Sequence, residues 1–297
     1  MKPGSKVNPL FRGVPFPAPL DSPSQTWYDN NIMQRPDKIS HDALERYTGS
    51  PVADFGKYVL LTNFAKYVEG FAGLARTEVK GFNWKAAHWK EKNLSILDFG
   101  IGSPVAGMAM DILSYTDPTV VIMLGMCGGI DDGVEVGDYL IPTASIRDEG
   151  TSQHYLHPAV PALPSFRVNH YLSKEIHERG LEYKTGIMKT TDYRMWEFNE
   201  AFIEELKEQR VIAIDMVIAI DMETATLFAA AYARGVRIGA LMLVSDLPLR
   251  REGIKTKESS REIFDRFSQT HLDIGIKTLF RIQAEEAKFL SRVQAEW

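Results

Sequence analysis

Along most of this chain, short apolar runs alternate with longer stretches in which apolar positions recur every three or four residues. The runs at 58–62, 94–99, 120–124, 183–188 and 238–245 read as buried strands, and 217–222 is a further run of the same kind. The periodic stretches at 65–74, 105–113, 172–179, 200–209 and 223–234 read as helices, the last closed by Gly235 as a left-handed cap. Residues 136–141 and 144–147 read as two strands interrupted by Pro142, and 154–166 as a Pro-rich surface loop. Strand and helix in alternation predict an α/β fold with a mixed, mostly parallel sheet flanked by helices. The tail, 259–294, is predicted helical, with Ile263, Phe267 and Ile274 on one stripe and a break at Gly275.

Two stretches depart from this rhythm. Residues 1–48 are rich in Pro, Asn, Asp and Ser, with one short helical stretch at 41–47, and predict an extended amino-terminal arm; Phe11, Phe16 and Trp27 favour an arm that lies across a neighbouring subunit. Residues 49–297 carry the alternating strands and helices, long enough for one large α/β domain or two small ones, and are the catalytic domain that the resemblance given below implies. The segment 211–216 is repeated at once as 217–222, and because six is even both copies present the same side chains to the same face. Only the second copy is followed by Glu-Thr-Ala, so the first is read as a duplication that lengthens the strand or its approach.

Composition narrows the class without deciding it. The chain has 297 residues, 44% of them hydrophobic and 25% charged, which suits a soluble globular protein. A formal charge of −5 argues against a nucleic-acid polymer as partner. With Cys127 the single cysteine, no internal disulfide or multi-thiolate zinc site can form, and a reducing, cytoplasmic setting is expected. Prolines at 3, 9, 15, 17 and 19 exclude a helical signal segment, and Asp215 and Asp221 break the longest apolar run, so no membrane span is expected.

Two strand ends carry the chemistry. The runs at 217–222 and 238–245 finish in Glu223 and Asp246, so a parallel sheet brings both carboxylates to one crevice at its carboxyl end. One can hold a sugar's hydroxyls while the other protonates a leaving group, which is what cleavage of a glycosidic bond requires. Each also has a plainer reading, Glu223 as a first-turn helix residue and Asp246 as a turn residue before Leu-Pro. Gly100-Ile101-Gly102-Ser103-Pro104 joins a strand to a helix; Val105 stands where a dinucleotide fingerprint needs its third glycine, and no Gly-Lys-Ser/Thr follows, so Gly102 and Ser103 are either ligand-facing or a structural turn. The glycines around Gly128 bring backbone close to something. Trp196, in a segment of mixed aromatic and polar residues from Thr190 to Glu197, is either part of a surface turn or the wall of a pocket for a flat heteroaromatic ring. Cys127 has no nearby histidine to make it a nucleophile, and His154 and His157 flank Tyr155 in a Pro-rich loop rather than sharing a helix face, so no metal and no cofactor are expected.

These pieces resemble a known family. Asp-Met-Glu-Thr-Ala after one strand, Ser-Asp-Leu-Pro after the next, Met-Leu-Gly-Met-Cys-Gly-Gly-Ile-Asp, Val-Gly-Asp-Tyr-Leu-Ile-Pro and Ile-Arg-Asp-Glu-Gly-Thr-Ser resemble the purine nucleoside phosphorylase and nucleosidase superfamily. Glu45 to Gly49, Tyr58 to Asn63 and Thr190-Thr191-Asp192-x-Arg194-x-Trp196-Glu197 are similar to its AMP nucleosidase branch, over residues from about 35 to 280. The resemblance implies a single-domain nucleoside phosphorylase-like fold, assembly as a homohexamer, and hydrolysis of AMP to adenine and ribose 5-phosphate. It implies that Asp246 protonates purine N7, that Glu223 holds the ribose hydroxyls and that Met222 packs on the sugar. A carboxylate at a helix start is expected to stay ionised for that task. Met123 stands where the phosphorylases carry an arginine, which favours water over inorganic phosphate. The amino-terminal regulatory domain of longer relatives is expected to be missing. Lys66, Arg147, Arg250, Arg251 and Lys255 are the candidate cations for the 5′-phosphate, with Arg147 and Lys255 preferred. Two other functions stay open: a phosphorylase or nucleosidase acting on unphosphorylated nucleosides, and a non-catalytic nucleotide sensor.

Overall fold

A computed structural model of the protein describes residues 37–210, 217–250, 253, 254 and 256–295. Most of the expected arm, the first copy of the repeated hexapeptide, Arg251 and Lys255 lie outside the described residues. Among the described residues eight strands form one sheet: β1 (Tyr58–Thr62), β2 (Lys85–Trp89), β3 (Leu94–Asp98), β4 (Val120–Gly129), β5 (Tyr139–Asp148), β6 (Lys184–Thr191), β7 (Val217–Asp221) and β8 (Ile238–Asp246). The described helices are α1 (Asp37–Thr48), α2 (Ala65–Ala75), α3 (Ser103–Ser114), α4 (Phe166–Glu178), α5 (Glu200–Gln209), α6 (Thr224–Arg234) and α7 (Lys257–Ala295).

The strand order is β2-β3-β1-β4-β7-β6-β5-β8, and β8 also pairs with β4. Strands β4, β7, β6, β5 and β8 therefore close into a ring, with β2, β3 and β1 continuing the sheet from β4. The pairs β1/β3, β1/β4, β4/β8, β5/β6 and β6/β7 are parallel, while β2/β3, β4/β7 and β5/β8 are antiparallel. Closure decides where chemistry can sit. β4 and β7 meet only where Gly128 faces Ile220 and Gly129 faces Ala219, near the carboxyl end of each. That crossing brings the carboxyl ends of β1, β4 and β8 together with those of β6 and β7, where ligand sites of α/β sheets gather.

Side chains alternate across the sheet, as period 2 requires. Val59, Leu61, Val121 and Met123 enter one apolar layer, against α3 and α6; Tyr58, Leu60, Ile122 and Leu124 enter the other, with residues of α2, α4 and α7. Both faces are covered, which is why these strands read as continuous apolar runs.

Several boundaries differ from the sequence reading, each for a tertiary reason. β4 runs on through the glycines to Gly129, because a Cβ at Gly128 would sit 3.0 Å from Pro248 Cγ and only bare backbone can close the ring there. Pro142 does not split β5; the register against β6 slips between Pro142 and Ala144 as a bulge. α7 passes Gly275 without a break, since that glycine lets the helix approach Leu124, whose Cδ1 would lie 2.9 Å from a Cβ. α1 contributes Leu44 to the core, and Tyr47 stacks on Trp84 with ring centroids 4.9 Å apart.

Candidate active site

Glu223 and Asp246 open on one cavity of about 320 Å³ at the convergence of strand ends. Its wall takes Asn63 and Phe64 after β1, Ile101 after β3, Met126 to Gly128 of β4, Arg194, Trp196 and Glu197 after β6, Ile220 to Glu223 at the end of β7, Ser245 and Asp246 of β8, and Ser260 of α7. The expected residues Met222, Trp196 and Gly128 thus share the cavity with the two carboxylates.

Glu223 is placed by the start of α6. The helix is rich in Ala and buried on most sides, so it packs closely against α3. Its first turn is capped from two residues upstream: Asp221 Oδ2 accepts the Thr224 N–H at 2.8 Å and the Glu223 N–H at 3.3 Å. Asp221 Oδ1 accepts from the Thr190 hydroxyl at 2.6 Å and the Thr224 hydroxyl at 3.0 Å, and Ser145 joins Thr190 at 2.8 Å. This buried network ties β5, β6, β7 and α6 at one point. It was not foreseen, although Asp two residues before Glu at a strand end, followed by Thr, is a capping pattern.

The Glu223 carboxylate is 2% exposed, and its Oε1 accepts the Gly102 N–H at 2.7 Å. The left-handed backbone at Gly102, φ 103°, turns that N–H toward it. The Ser103 hydroxyl donates to the Met222 carbonyl at 2.8 Å. Gly102 and Ser103 therefore serve the site by holding Glu223 and Met222, and neither lines the cavity. Against the expectation that Glu223 stays ionised, burial first and the neighbouring Asp221 second push its carboxyl up to about 8, opposed by the pull of the Gly102 and Met222 N–H groups and the Asn63 side chain. Asp221 is also raised, by burial, with its hydroxyl and N–H donors opposing.

Asp246 is half-buried at the end of β8, opposite Gly128 across a register shift. The Ser245 hydroxyl donates to its Oδ1 at 2.6 Å and lies 3.2 Å from the Cys127 carbonyl, so the carboxylate is held against β4. Trp196 is 5% exposed, on a short turn (Trp196–Phe198) between β6 and α5, and packs on Phe202 at 5.5 Å between ring centroids. Trp196 gives the cavity an aromatic stretch of wall.

Arg147 is elsewhere. Its guanidinium donates to the Ser152 hydroxyl and to the carbonyls of Leu156, His157 and Val160 at 2.7–2.8 Å, pinning the 151–160 segment. All of these donors are engaged there and it does not line the cavity, which corrects its expected place at the phosphate. Lys66 lies 3.9 Å from Asp265, and Arg250 pairs with Glu135 at 3.0 Å. Among the described residues the cation on the cavity wall is Arg194, which pairs with Glu197 at 2.9 Å. Met123 is wholly buried in the core, so that position brings no charge to the site. Among the described residues no group of three or more His, Cys, Asp or Glu is placed to hold a metal ion, and no helix is long and apolar enough to cross a membrane.

The fold and site define the class. Residues 57–281 match the family model of the phosphorylase superfamily, and the chain belongs to that family. Its similarity is then to one branch in particular. The AMP nucleosidase of Escherichia coli K12 is 30% identical over 295 residues, covering 84% of this chain and 60% of that protein, so the chain spans about three fifths of that relative's length. The crystal structure of AMP nucleosidase from Bacteroides thetaiotaomicron VPI-5482 is 37% identical, with a TM-score of 0.71, covering 83% of this chain and 97% of that one. A uridine phosphorylase from Vibrio fischeri ES114, 21% identical with a TM-score of 0.66 over 77% of this chain and 93% of its own, shares the fold.

Proposed function

We propose that this protein hydrolyses the N-glycosidic bond of AMP, giving adenine and ribose 5-phosphate. The observation that carries the reading is the meeting of Glu223 and Asp246 at one cavity edged by Trp196. The buried Met123 supports water rather than inorganic phosphate as the nucleophile, and the likeness to two AMP nucleosidases supports the nucleotide as substrate. In this mechanism the adenine ring lies along Trp196 and the ribose between Met222 and Glu223. The C1′–N9 bond breaks with its electron pair moving onto the purine, and Asp246 delivers a proton to N7. The 2′- and 3′-hydroxyls donate to Glu223; hydrogen bonds to the ionised carboxylate draw its raised pKa down as substrate binds and strengthen as the sugar gains positive charge. Water adds at C1′, and the proton it releases passes to solvent, from which Asp246 regains the one it gave to N7. Lys255, beyond the described residues, is the cation we assign to the 5′-phosphate.

Purified protein is expected to release adenine from AMP in phosphate-free buffer, and much more slowly from adenosine. Equal rates on both, or an absolute need for inorganic phosphate, would point to a nucleosidase or phosphorylase for unphosphorylated nucleosides; binding of AMP without turnover would make the protein a sensor.

We further propose a cytoplasmic homo-oligomer, a hexamer by the resemblance. The single cysteine, Cys127, is buried in the core, and large aromatic side chains stand exposed at Phe82 (92%), Phe166 (87%), Tyr232 (73%) and Phe198 (72%). Light scattering should give a mass several times that of one chain. An active monomer at micromolar concentration would refute it.

A further inference from the structure

The hydrolytic mechanism leaves the carboxylate beside Trp196 without a task. Glu197 has a side chain only 9% exposed, and its Oε1 accepts from Arg194 Nη1 at 2.9 Å. Its Oε2 is buried and accepts no hydrogen bond from any described residue. A buried carboxylate oxygen without a donor costs free energy, and folded proteins seldom leave one so unless a ligand or an ordered water completes it. Glu197 lines the same cavity as Trp196, Glu223 and Asp246.

The carboxylate is also held firmly. Glu197 lies on the turn between β6 and α5; Asn199 caps α5 by accepting the Phe202 N–H at 3.3 Å, and Phe202 packs on Trp196. Lys189, 1% exposed, pairs with Glu205 of α5 at 3.1 Å and with Asp148 of β5 at 3.0 Å, clamping α5 to the sheet. The acceptor is therefore built into a fixed wall.

We propose that Glu197 reads the purine, its Oε2 accepting an N–H of the six-amino group, so that the site selects six-aminopurines. This rests on the reading that the cavity takes a purine nucleotide with its ring along Trp196. The chemistry of the two purine classes separates them at this atom. An amino group at C6 offers two N–H donors to a carboxylate, whereas an oxo group turns lone pairs toward it. Arg194 already occupies Oε1, which leaves Oε2 the acceptor for the base.

The test compares three nucleotides, AMP, IMP and purine riboside 5′-monophosphate with hydrogen at C6, on the wild type and on Glu197→Gln, an isosteric change whose folding is checked by thermal unfolding. Glu197→Gln should lower kcat/KM for AMP by roughly 10- to 100-fold, as for loss of a hydrogen bond to a charged acceptor, and change the nucleotide without a six-substituent by less than about threefold. An equal loss on all three nucleotides, or a wild type that prefers IMP through its N1–H, would overturn the assignment. A second measurement needs neither turnover nor a variant: calorimetric binding of free adenine against free purine to the wild-type protein. Tighter binding of adenine with no cleavage of AMP would keep the role of Glu197 and remove the hydrolytic reading. Equal affinity for the two bases would remove the role of Glu197 whatever the reaction.

Discussion

Asp246→Asn is expected to slow turnover of AMP by about 10²–10⁴, the usual cost of losing a general acid, while AMP still binds. The bond to adenine cannot break without leaving a pair of electrons on the ring, and a proton arriving at N7 neutralises that charge as it forms. Asparagine keeps the size and the acceptor for the Ser245 hydroxyl, which now lies 2.6 Å from Oδ1, so the end of β8 should stay in place. It has no acidic proton to give. The two readings of Asp246 separate in one pair of measurements on a folded variant, single-turnover rate and AMP affinity. Near-normal turnover would leave Asp246 as the residue that begins the Leu-Pro turn. Lost affinity with intact turnover would make it a binding group and leave the acid unassigned.

How far the sequence led depends on whether a signal was local. β1 is fully buried on both faces, so its apolar run and its boundaries coincide. The edge strand β2, with Lys at one end and Trp at the other, carries no such run and was not predicted; antiparallel pairing with β3 makes it a strand. The run of β4 was read as ending at 124, short of its glycines, because ring closure, the reason for their small size, is a contact between distant segments. The same division holds at the site. Glu223, Asp246, Met222 and Trp196 follow strand ends directly, and the rule that ligands gather at the carboxyl ends of parallel strands brings them together. Applied to every strand, that rule also reaches Asn63 after β1 and Arg194 and Glu197 after β6, which were passed over. Arg147 misled for a physical reason: a cation at a strand end is as useful to the carbonyls of a Pro-rich loop as to a phosphate, and sequence does not distinguish the two acceptors.

Glu223→Ala is expected to lose roughly 2–4 kcal/mol of transition-state stabilisation, the worth of a charged acceptor in a water-poor site. The loss should appear in kcat more than in affinity, because hydroxyl donors bond a carboxylate most strongly once the sugar has become cationic. The nearest carboxylate, Asp221, cannot take over, since its oxygens already receive Thr190, Thr224 and the first N–H groups of α6. A variant with near-normal kcat would refute the assignment. The same residue should act against stability, with a definite sign. Its pKa in the folded protein is raised from 4.5 to about 8, so between those values the native state holds a proton that the unfolded chain has released. The stability this proton represents is full below the ordinary carboxyl range and is lost as pH rises through about 8. Glu223→Gln, which stays neutral at every pH, should therefore match the wild type in Tm near pH 5 and exceed it by a widening margin toward pH 9. A margin independent of pH would mean that the carboxyl is ionised in the folded protein, and that substrate meets a charge already in place rather than one it draws out.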